Sequence, residues 1–260
     1  MNKIALITGA TSGIGEACAK LFAREGYNLI ITGRRAERLE LLSKDLTKHY
    51  NIQVITSTFD IRDRTSVLNH LNNLPDNWKK VNVLINNAGL SQGLDPIEKG
   101  NLDDWDVMID TNIKGLLYVT KVVSNWMIDN GKGHIINIGS IAGKEVYLNG
   151  NVYCATKHAV DALNKAMRVD LLPHGIKVTG IHPGAVETEF SEVRFHGDKE
   201  RAKKVYDGFE PLNAVDIAET IWFAVSRPAH VNINDLVVMP TAQASASMIQ
   251  RVNTTSVPIK

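Results

Sequence analysis

The chain has 260 residues, 44% of them hydrophobic, which suits one large α/β domain. Its 29 basic and 28 acidic residues give a formal net charge of +1 without any block of like charge, so nothing points to a nucleic acid or a membrane surface as partner. Two cysteines, Cys18 and Cys154, argue against a disulfide framework, no apolar run is long enough to cross a bilayer, and "MNKIALITGA" lacks the apolar core of a signal peptide, so a reduced, cytoplasmic protein is expected.

Short apolar runs alternate with longer amphipathic ones along the chain. "KIALIT" from Lys3 reads as a strand, followed by a helix to about Gly26. "YNLIIT" from Tyr27 is a second strand and "AERLELLSKDL" a helix after it. "QVITSTFD" from Gln53, "VNVLINNAG" from Val81, "GHIINIGS" from Gly133, "IKVTGIHPG" from Ile176 and "LVVMP" from Leu236 continue the series. Long helices are expected over about Leu102–Asn130 and Asn151–Leu172. Near-continuous apolar strands alternating with helices mean a parallel sheet covered on both faces. The expectation is an α/β chain, one Rossmann-type doubly wound domain over residues 1–260 with seven parallel strands flanked by helices. The charged, irregular stretch from about 187 to 209 reads as an insertion. The last twenty residues are polar and show no clear period.

"TGATSGIG" follows the first strand and opens the first helix. Gly9, Gly13 and Gly15 would let backbone approach a pyrophosphate, and the helix start offers free N–H groups. Thr11 and Ser12 add hydroxyls, and Ile14 lies between the last two glycines. A glycine turn without a ligand is the plainer reading, but the strand–turn–helix setting favours a nucleotide. The second strand ends in "TGRR". A carboxylate there would bind the ribose 2′-hydroxyl of NAD; Arg34 and Arg35 instead suit the 2′-phosphate of NADP, unless both are merely solvated. Asp60 and Ile61 end the third strand over the same sheet edge, where Asp60 suits the adenine amino group or a helix cap. Asn87, Ala88 and Gly89 end the fourth strand and can line the cofactor's path.

Ligands of a doubly wound sheet sit beyond the carboxyl ends of its strands. Ser140 lies at that end of the fifth strand. Tyr153 and Lys157 lie four apart on one face of the next helix, which starts at the same edge. Asn112, in "DTNIKG", is expected mid-helix after the fourth strand. A lone serine is usually a cap and a Tyr–Lys pair is common by chance; all four in register with a nucleotide fingerprint form an improbable coincidence. Cys154 reads as packing. The eight histidines form no metal-binding motif, so no catalytic metal is expected.

Taken together, "TGATSGIG", "NNAG", Asn112, Ser140, Tyr153-x-x-x-Lys157 and Pro183-Gly184 resemble the short-chain dehydrogenase/reductase family over most of the chain. The resemblance implies an enzyme acting on CH–OH donors. Tyr153 would be the acid/base, with its phenolate favoured by Lys157 and an oxidised nicotinamide. Lys157 would also hold the nicotinamide ribose, Ser140 would bind the developing alkoxide, and Asn112 would help hold a water. Pro183, Gly184, Val186 and Thr188 would border the nicotinamide. The segments "TGRRAERL", "NNAGLSQGLDP", "DDWDVMIDTNIKGL", "TEFSEVRFHGD" and "PAHVNINDLVVMP" are similar to the NADP-dependent 3-hydroxy acid dehydrogenases. That similarity implies NADP rather than NAD, and serine, L-allo-threonine or 3-hydroxypropionate/malonic semialdehyde as substrates. A small acid needs a cationic anchor for its carboxylate; Arg194, in the expected substrate lid at about 187–209, is the candidate, unless it is a plain surface arginine of that lid. The broad apolar faces of the two long helices, which pair across subunits in the resembled family, point to a homotetramer. Alternatives are reduction of a 3-oxoacyl thioester or cyclic ketone, or an NADP-sensing module without chemistry.

Overall fold

The structure is a computed structural model and describes residues 3–252; the last eight residues of the polar tail lie outside it. The strands are β1 (Ile4–Thr8), β2 (Asn28–Gly33), β3 (Val54–Thr58), β4 (Val81–Asn86), β5 (Gly133–Ile138), β6 (Ile176–Pro183) and β7 (Asp235–Val238). The helices are α1 (Gly13–Arg24), α2 (Ala36–His49), α3 (Arg64–Asn72), α4 (Leu102–Ile109), α5 (Leu116–Asp129), α6 (Asn151–Leu171), α7 (Phe190–Arg194), α8 (Lys199–Lys204) and α9 (Ala214–Val225). The strands form one sheet in the order β3-β2-β1-β4-β5-β6-β7, with every pairing parallel.

This order follows from the apolar pattern. β1 is buried on both faces along its whole length, which only a central strand allows. β3, whose residues alternate with exposed threonines, takes the edge. Two cores lie on opposite faces of the sheet. Under α1, α2 and α9, Phe22, Leu39, Leu46, Ile217 and Ile221 meet Ile7 and Ile31. Under α3, α5 and α6, Val67, Leu71, Val119, Met127 and Met167 meet Leu6, Leu84 and Val178. The second core also holds polar side chains, and they pair with one another. Asn86 Nδ2 donates to Thr120 Oγ1 at 2.8 Å and to Asn137 Oδ1 at 2.9 Å, and Asn137 Nδ2 donates to Asn164 Oδ1 at 3.0 Å. These bonds tie β4, β5, α5 and α6 together where an unpaired amide would be costly.

The expected long helix over Leu102–Asn130 is interrupted. Residues Asp110–Gly115 form a π turn between α4 and α5, so Asn112 sits in that turn and not in regular helix. Gly115 shows what the turn accommodates: a Cβ there would lie 2.9 Å from Ile61 Cγ1 and Cγ2. The absent side chain lets α5 press against the loop after β3. The stretch 187–209, expected to be irregular, is ordered into α7 and α8.

The chain leaves β3 at one edge of the sheet and re-enters at β4, beside β1. Strand order reverses there, and a crevice opens beyond the carboxyl ends of β1 and β4.

Candidate active site

β1 ends at Thr8 and α1 begins at Gly13, so the connection must turn sharply. Gly9 at φ +67° and Gly13 at φ +54° take left-handed values that a Cβ disfavours. Gly15 is required for space: a Cβ there would lie 2.3 Å from the Gly9 carbonyl oxygen and 2.5 Å from Asn87 Nδ2. The end of β4 clamps this turn. Asn87 Nδ2 donates to the carbonyls of Thr8 at 2.8 Å and Gly9 at 3.1 Å, and the backbone N–H groups of Asn87 and Ala88 donate to Thr8 Oγ1 at 3.0 Å. Ser12 precedes α1 without a side-chain cap bond, which leaves the positive end of that helix for an anion.

A cavity of about 330 Å³ fills the crevice. On the β2–β3 side it is lined by Arg34, Arg35, Asp60 and Ile61, and on the β5 side by Ser140, Tyr153 and Lys157. The glycine turn, with Thr11, Ser12 and Ile14, and the Asn87–Ala88–Gly89 segment form its floor. Pro183, Gly184, Val186 and Thr188 after β6 form a wall. Gly15 supports the turn from behind without lining the cavity.

Ser140 continues β5 in extended conformation, and its Oγ accepts from Ala142 N at 3.1 Å. α6 begins eleven residues later and carries Tyr153 and Lys157 inward. Lys157 Nζ donates to the Ile138 carbonyl at 2.9 Å. Burial lowers its pKa from 10.5 to about 8. Tyr153 is buried beside Leu90, Met108, Ala142 and Cys154. Burial pushes the Tyr153 phenol up, while the Arg194 guanidinium and then the Ser140 hydroxyl pull it down. The family resemblance assigns the tuning charge to Lys157 and the nicotinamide. In the structure the Lys157 ammonium stands 5.9 Å from the ring centre and Arg194 stands closer, at 5.2 Å.

Arg194 ends α7 and does not line the main cavity. Its guanidinium stacks over Phe190 at 5.1 Å as well as Tyr153, and Nη2 donates to the Tyr147 hydroxyl at 3.0 Å. Its Nε is buried and has no partner among the described residues. Nothing local in the sequence singles out Tyr147 and Phe190 as site residues. The one available signal was their aromatic character near a basic residue, and they meet Arg194 only in three dimensions.

Other expectations change. The Asn112 side chain lies outside the cavity: Oδ1 accepts from Leu90 N at 2.9 Å, and Nδ2 donates to the Leu90 carbonyl at 2.8 Å and to Thr156 Oγ1 at 3.0 Å. Both of its amide hydrogens are engaged in fixing the segment after β4 to α6. Asp60 is not the helix cap; Asp63 caps α3 by accepting from Ser66 N at 3.1 Å. Asp60 is held by Arg62, whose Nη2 reaches Oδ2 at 2.7 Å. Gln243, in the polar tail, accepts from Ala185 N at 2.8 Å and so steadies the turn after β6. Among the described residues, Asp161, His182 and Asp235 converge as metal-ligating side chains do. Lys144 Nζ sits 2.6 Å from Asp161 Oδ1 and supplies the positive charge there.

The model of the short chain dehydrogenase family matches residues 3–199. The chain belongs to the short-chain dehydrogenase family. This short-chain dehydrogenase is 46% identical over 246 residues to the NADP-dependent 3-hydroxy acid dehydrogenase YdfG of Salmonella typhimurium, covering 94% of this chain and 98% of that one. It is 45% identical over 253 residues to sulfoacetaldehyde reductase 2 of Chromohalobacter salexigens, covering 96% and 100%. Among solved structures, the closed form of a serine dehydrogenase complexed with NADP+ superposes with a TM-score of 0.89 at 43% identity, over 96% of this chain and 100% of that one. No helix among the described residues is long and apolar enough to cross a membrane.

Proposed function

We propose that this short-chain dehydrogenase transfers hydride between NADP and the 3-hydroxyl or 3-carbonyl of a small 3-hydroxy acid, of the class of serine, L-allo-threonine or 3-hydroxypropionate. The observation that carries the substrate class is Arg194, a guanidinium stacked on the Tyr153 ring with a buried, unpaired Nε. A guanidinium there matches a carboxylate held beside the reacting carbon. Its chemistry also matches a sulfonate, and the 45% identity to a sulfoacetaldehyde reductase favours a small sulfonated aldehyde as the second reading.

The crevice fits a dinucleotide. Its glycine turn leaves room where a Cβ would intrude, and the helix end behind it is uncapped. Gly9, Thr11, Ser12, Gly13 and Ile14 would hold the pyrophosphate, and Arg34 and Arg35 the 2′-phosphate. Asp60 and Ile61 would border the adenine. Asn87, Ala88, Gly89, Pro183, Gly184, Val186 and Thr188 would flank the path to the nicotinamide. When bound, the nicotinamide supplies or takes the hydride.

The chain's own residues handle the proton and the charge. The Tyr153 hydroxyl donates its proton to the carbonyl oxygen during reduction and its phenolate takes the hydroxyl proton during oxidation. Ser140 donates a hydrogen bond to the same oxygen as it gains charge. Lys157, anchored on the Ile138 carbonyl, would hold the nicotinamide ribose with its remaining N–H groups and add positive charge near the phenol. Asn112 holds Leu90 and Thr156 in place beside them. The stretch 187–209 acts as the lid that brings Arg194 to the substrate.

The same reading makes the enzyme a cytoplasmic homotetramer. Leu102 at 67% exposure and Val169 at 72%, on α4 and α6, support subunit contacts on those helices. The decisive experiment measures initial rates with NADP and NAD across serine, L-allo-threonine and 3-hydroxypropionate, and with NADPH across malonic semialdehyde and sulfoacetaldehyde. Turnover only with acyl thioesters or neutral ketones would refute the small-acid reading.

A further inference from the structure

Of the two arginines expected to meet a 2′-phosphate, Arg35 already holds an anion, and that anion belongs to the chain. Glu189 lies at the start of α7 and lines the same cavity as Arg34 and Arg35. Its Oε2 accepts from Arg35 Nη1 at 2.8 Å and its Oε1 from Arg38 Nη1 at 2.6 Å. Arg35 is engaged on its other side as well: Nε and Nη2 donate to Thr11 Oγ1 at 3.1 and 2.8 Å, and Nη2 donates to Ser12 Oγ at 2.8 Å. Arg34 alone stands apart. Its nearest carboxylate is Asp60 at 3.9 Å, and Asp60 is committed to Arg62.

We infer that Glu189 is a built-in stand-in for the 2′-phosphate, occupying the Arg35–Arg38 fork until a 2′-phosphorylated nucleotide displaces it, and so setting how strongly the chain prefers NADP to NAD. The inference rests on the NADP reading above. A carboxylate offers one charge and two oxygens. A phosphate offers up to two charges and three oxygens, so it wins the exchange. Its net gain is nevertheless reduced, because its contacts to Arg35 and Arg38 replace ones that Glu189 already makes. A ribose with a free 2′-hydroxyl brings no anion and leaves Glu189 where it is. The carboxylate therefore taxes only the phosphorylated cofactor. Burial raises the acid's pKa, but the hydrogen bonds from Arg38 and Arg35 outweigh it and hold Glu189 at about 2, so it is ionised under any ordinary assay condition.

The placement also links the two ends of the site. Glu189 and Arg194 bracket α7. A phosphate that frees Glu189 unhooks the lid from α2 at the same moment that the cofactor seats. Arg38, on the helix after Arg34 and Arg35, becomes a third cation in contact with the incoming group.

The test is calorimetric and needs no turnover. Adenosine 2′,5′-bisphosphate and 5′-AMP are titrated into the full chain and into Glu189→Gln and Arg38→Gln. In Glu189→Gln the bisphosphate binds about three- to tenfold tighter, because two half-exposed ion pairs no longer compete. Binding of 5′-AMP changes by less than about twofold, and Arg38→Gln weakens the bisphosphate alone. A bisphosphate Kd that is unchanged or weaker in Glu189→Gln overturns the inference, and a weaker one makes Glu189 a clasp that closes over the cofactor. Equal affinity of the unsubstituted chain for the two ligands is a separate result: it removes the NADP reading itself.

Discussion

The Arg194 guanidinium stands 5.2 Å from the centre of the Tyr153 ring, closer than the Lys157 ammonium at 5.9 Å. The phenol therefore has a cation on each of two elements, one on its own helix and one on the segment that follows β6. Arg194 opposes the rise that burial imposes on the Tyr153 pKa. An anionic substrate paired with Arg194 would weaken that help, so the charge of the nicotinamide must supply the rest in the oxidation direction.

Replacing Tyr153 by Phe removes the proton donor and keeps the ring. The ring fills the packing site beside Leu90, Met108 and Phe190, so the fold should be retained. General acid–base catalysis contributes about a hundred- to ten-thousandfold, and kcat should fall within that span. The NADPH Kd, read by fluorescence titration, should stay within about twofold. Turnover above a tenth of the parent rate would show that another group moves the proton.

Replacing Arg194 by Met removes the cation and keeps much of the stacking on Phe190 and Tyr153. A charge-assisted hydrogen bond contributes about 1.5–3 kcal/mol, so KM for serine should rise roughly ten- to a hundredfold while the NADPH Kd holds. Tyr147→Phe, which removes the hydroxyl that Arg194 Nη2 contacts at 3.0 Å, should raise KM by only about three- to tenfold. Unchanged KM in both variants would end the anchor role.

The sequence revealed the parts of this site that are local. Three glycines at a strand–helix junction, two arginines at a strand end and a tyrosine–lysine pair four apart can be recognised because neighbours along the chain determine their meaning. The contacts it concealed join distant residues. Glu189 meets Arg35 across 154 positions, Arg194 meets Tyr147 across 47, and Gln243 meets Ala185 across 58. No periodicity encodes such pairs. The π turn at Asp110–Gly115 was hidden for another reason: its apolar pattern is that of an ordinary helix, and the close approach of Gly115 to Ile61 is a contact between distant residues. Asn112 stands out by its type and position, but its bonds to Leu90 and Thr156 are long-range and invisible in the sequence.

Gly15→Ala should damage the cofactor turn more than any exposed substitution. The added Cβ would meet the Gly9 carbonyl oxygen at 2.3 Å and its carbon at 2.9 Å, and backbone cannot swing aside as a flexible side chain does. Overpacking of this kind costs about 1–3 kcal/mol, and it also separates Gly9 from Asn87. The expected result is a melting temperature lower by several degrees and a NADPH Kd weaker by at least about tenfold. Parent-like binding would mean that the turn is softer than its contacts imply.

Lys157 should make stability depend on alkaline pH. Burial depresses its pKa from 10.5 to about 8, so between those values the unfolded chain holds a proton that the folded chain has released. Stability then rises with pH across that window, because the unfolded state binds more protons. Below about pH 8 both states are charged and the fold bears the full penalty, of the order of 3 kcal/mol for a fall of this size. Above 10.5 neither is charged and the penalty is gone. The comparison that isolates this group is Lys157→Met, which also loses the bond to the Ile138 carbonyl at every pH. The difference in unfolding free energy between parent and variant, measured by denaturant titration without cofactor, should shift in favour of the parent by about 2–3 kcal/mol from pH 7.5 to pH 10.5. A flat difference would mean that the ammonium is better solvated or better paired than its burial implies, and the Lys157 pKa would then lie near 10.5 in the free enzyme.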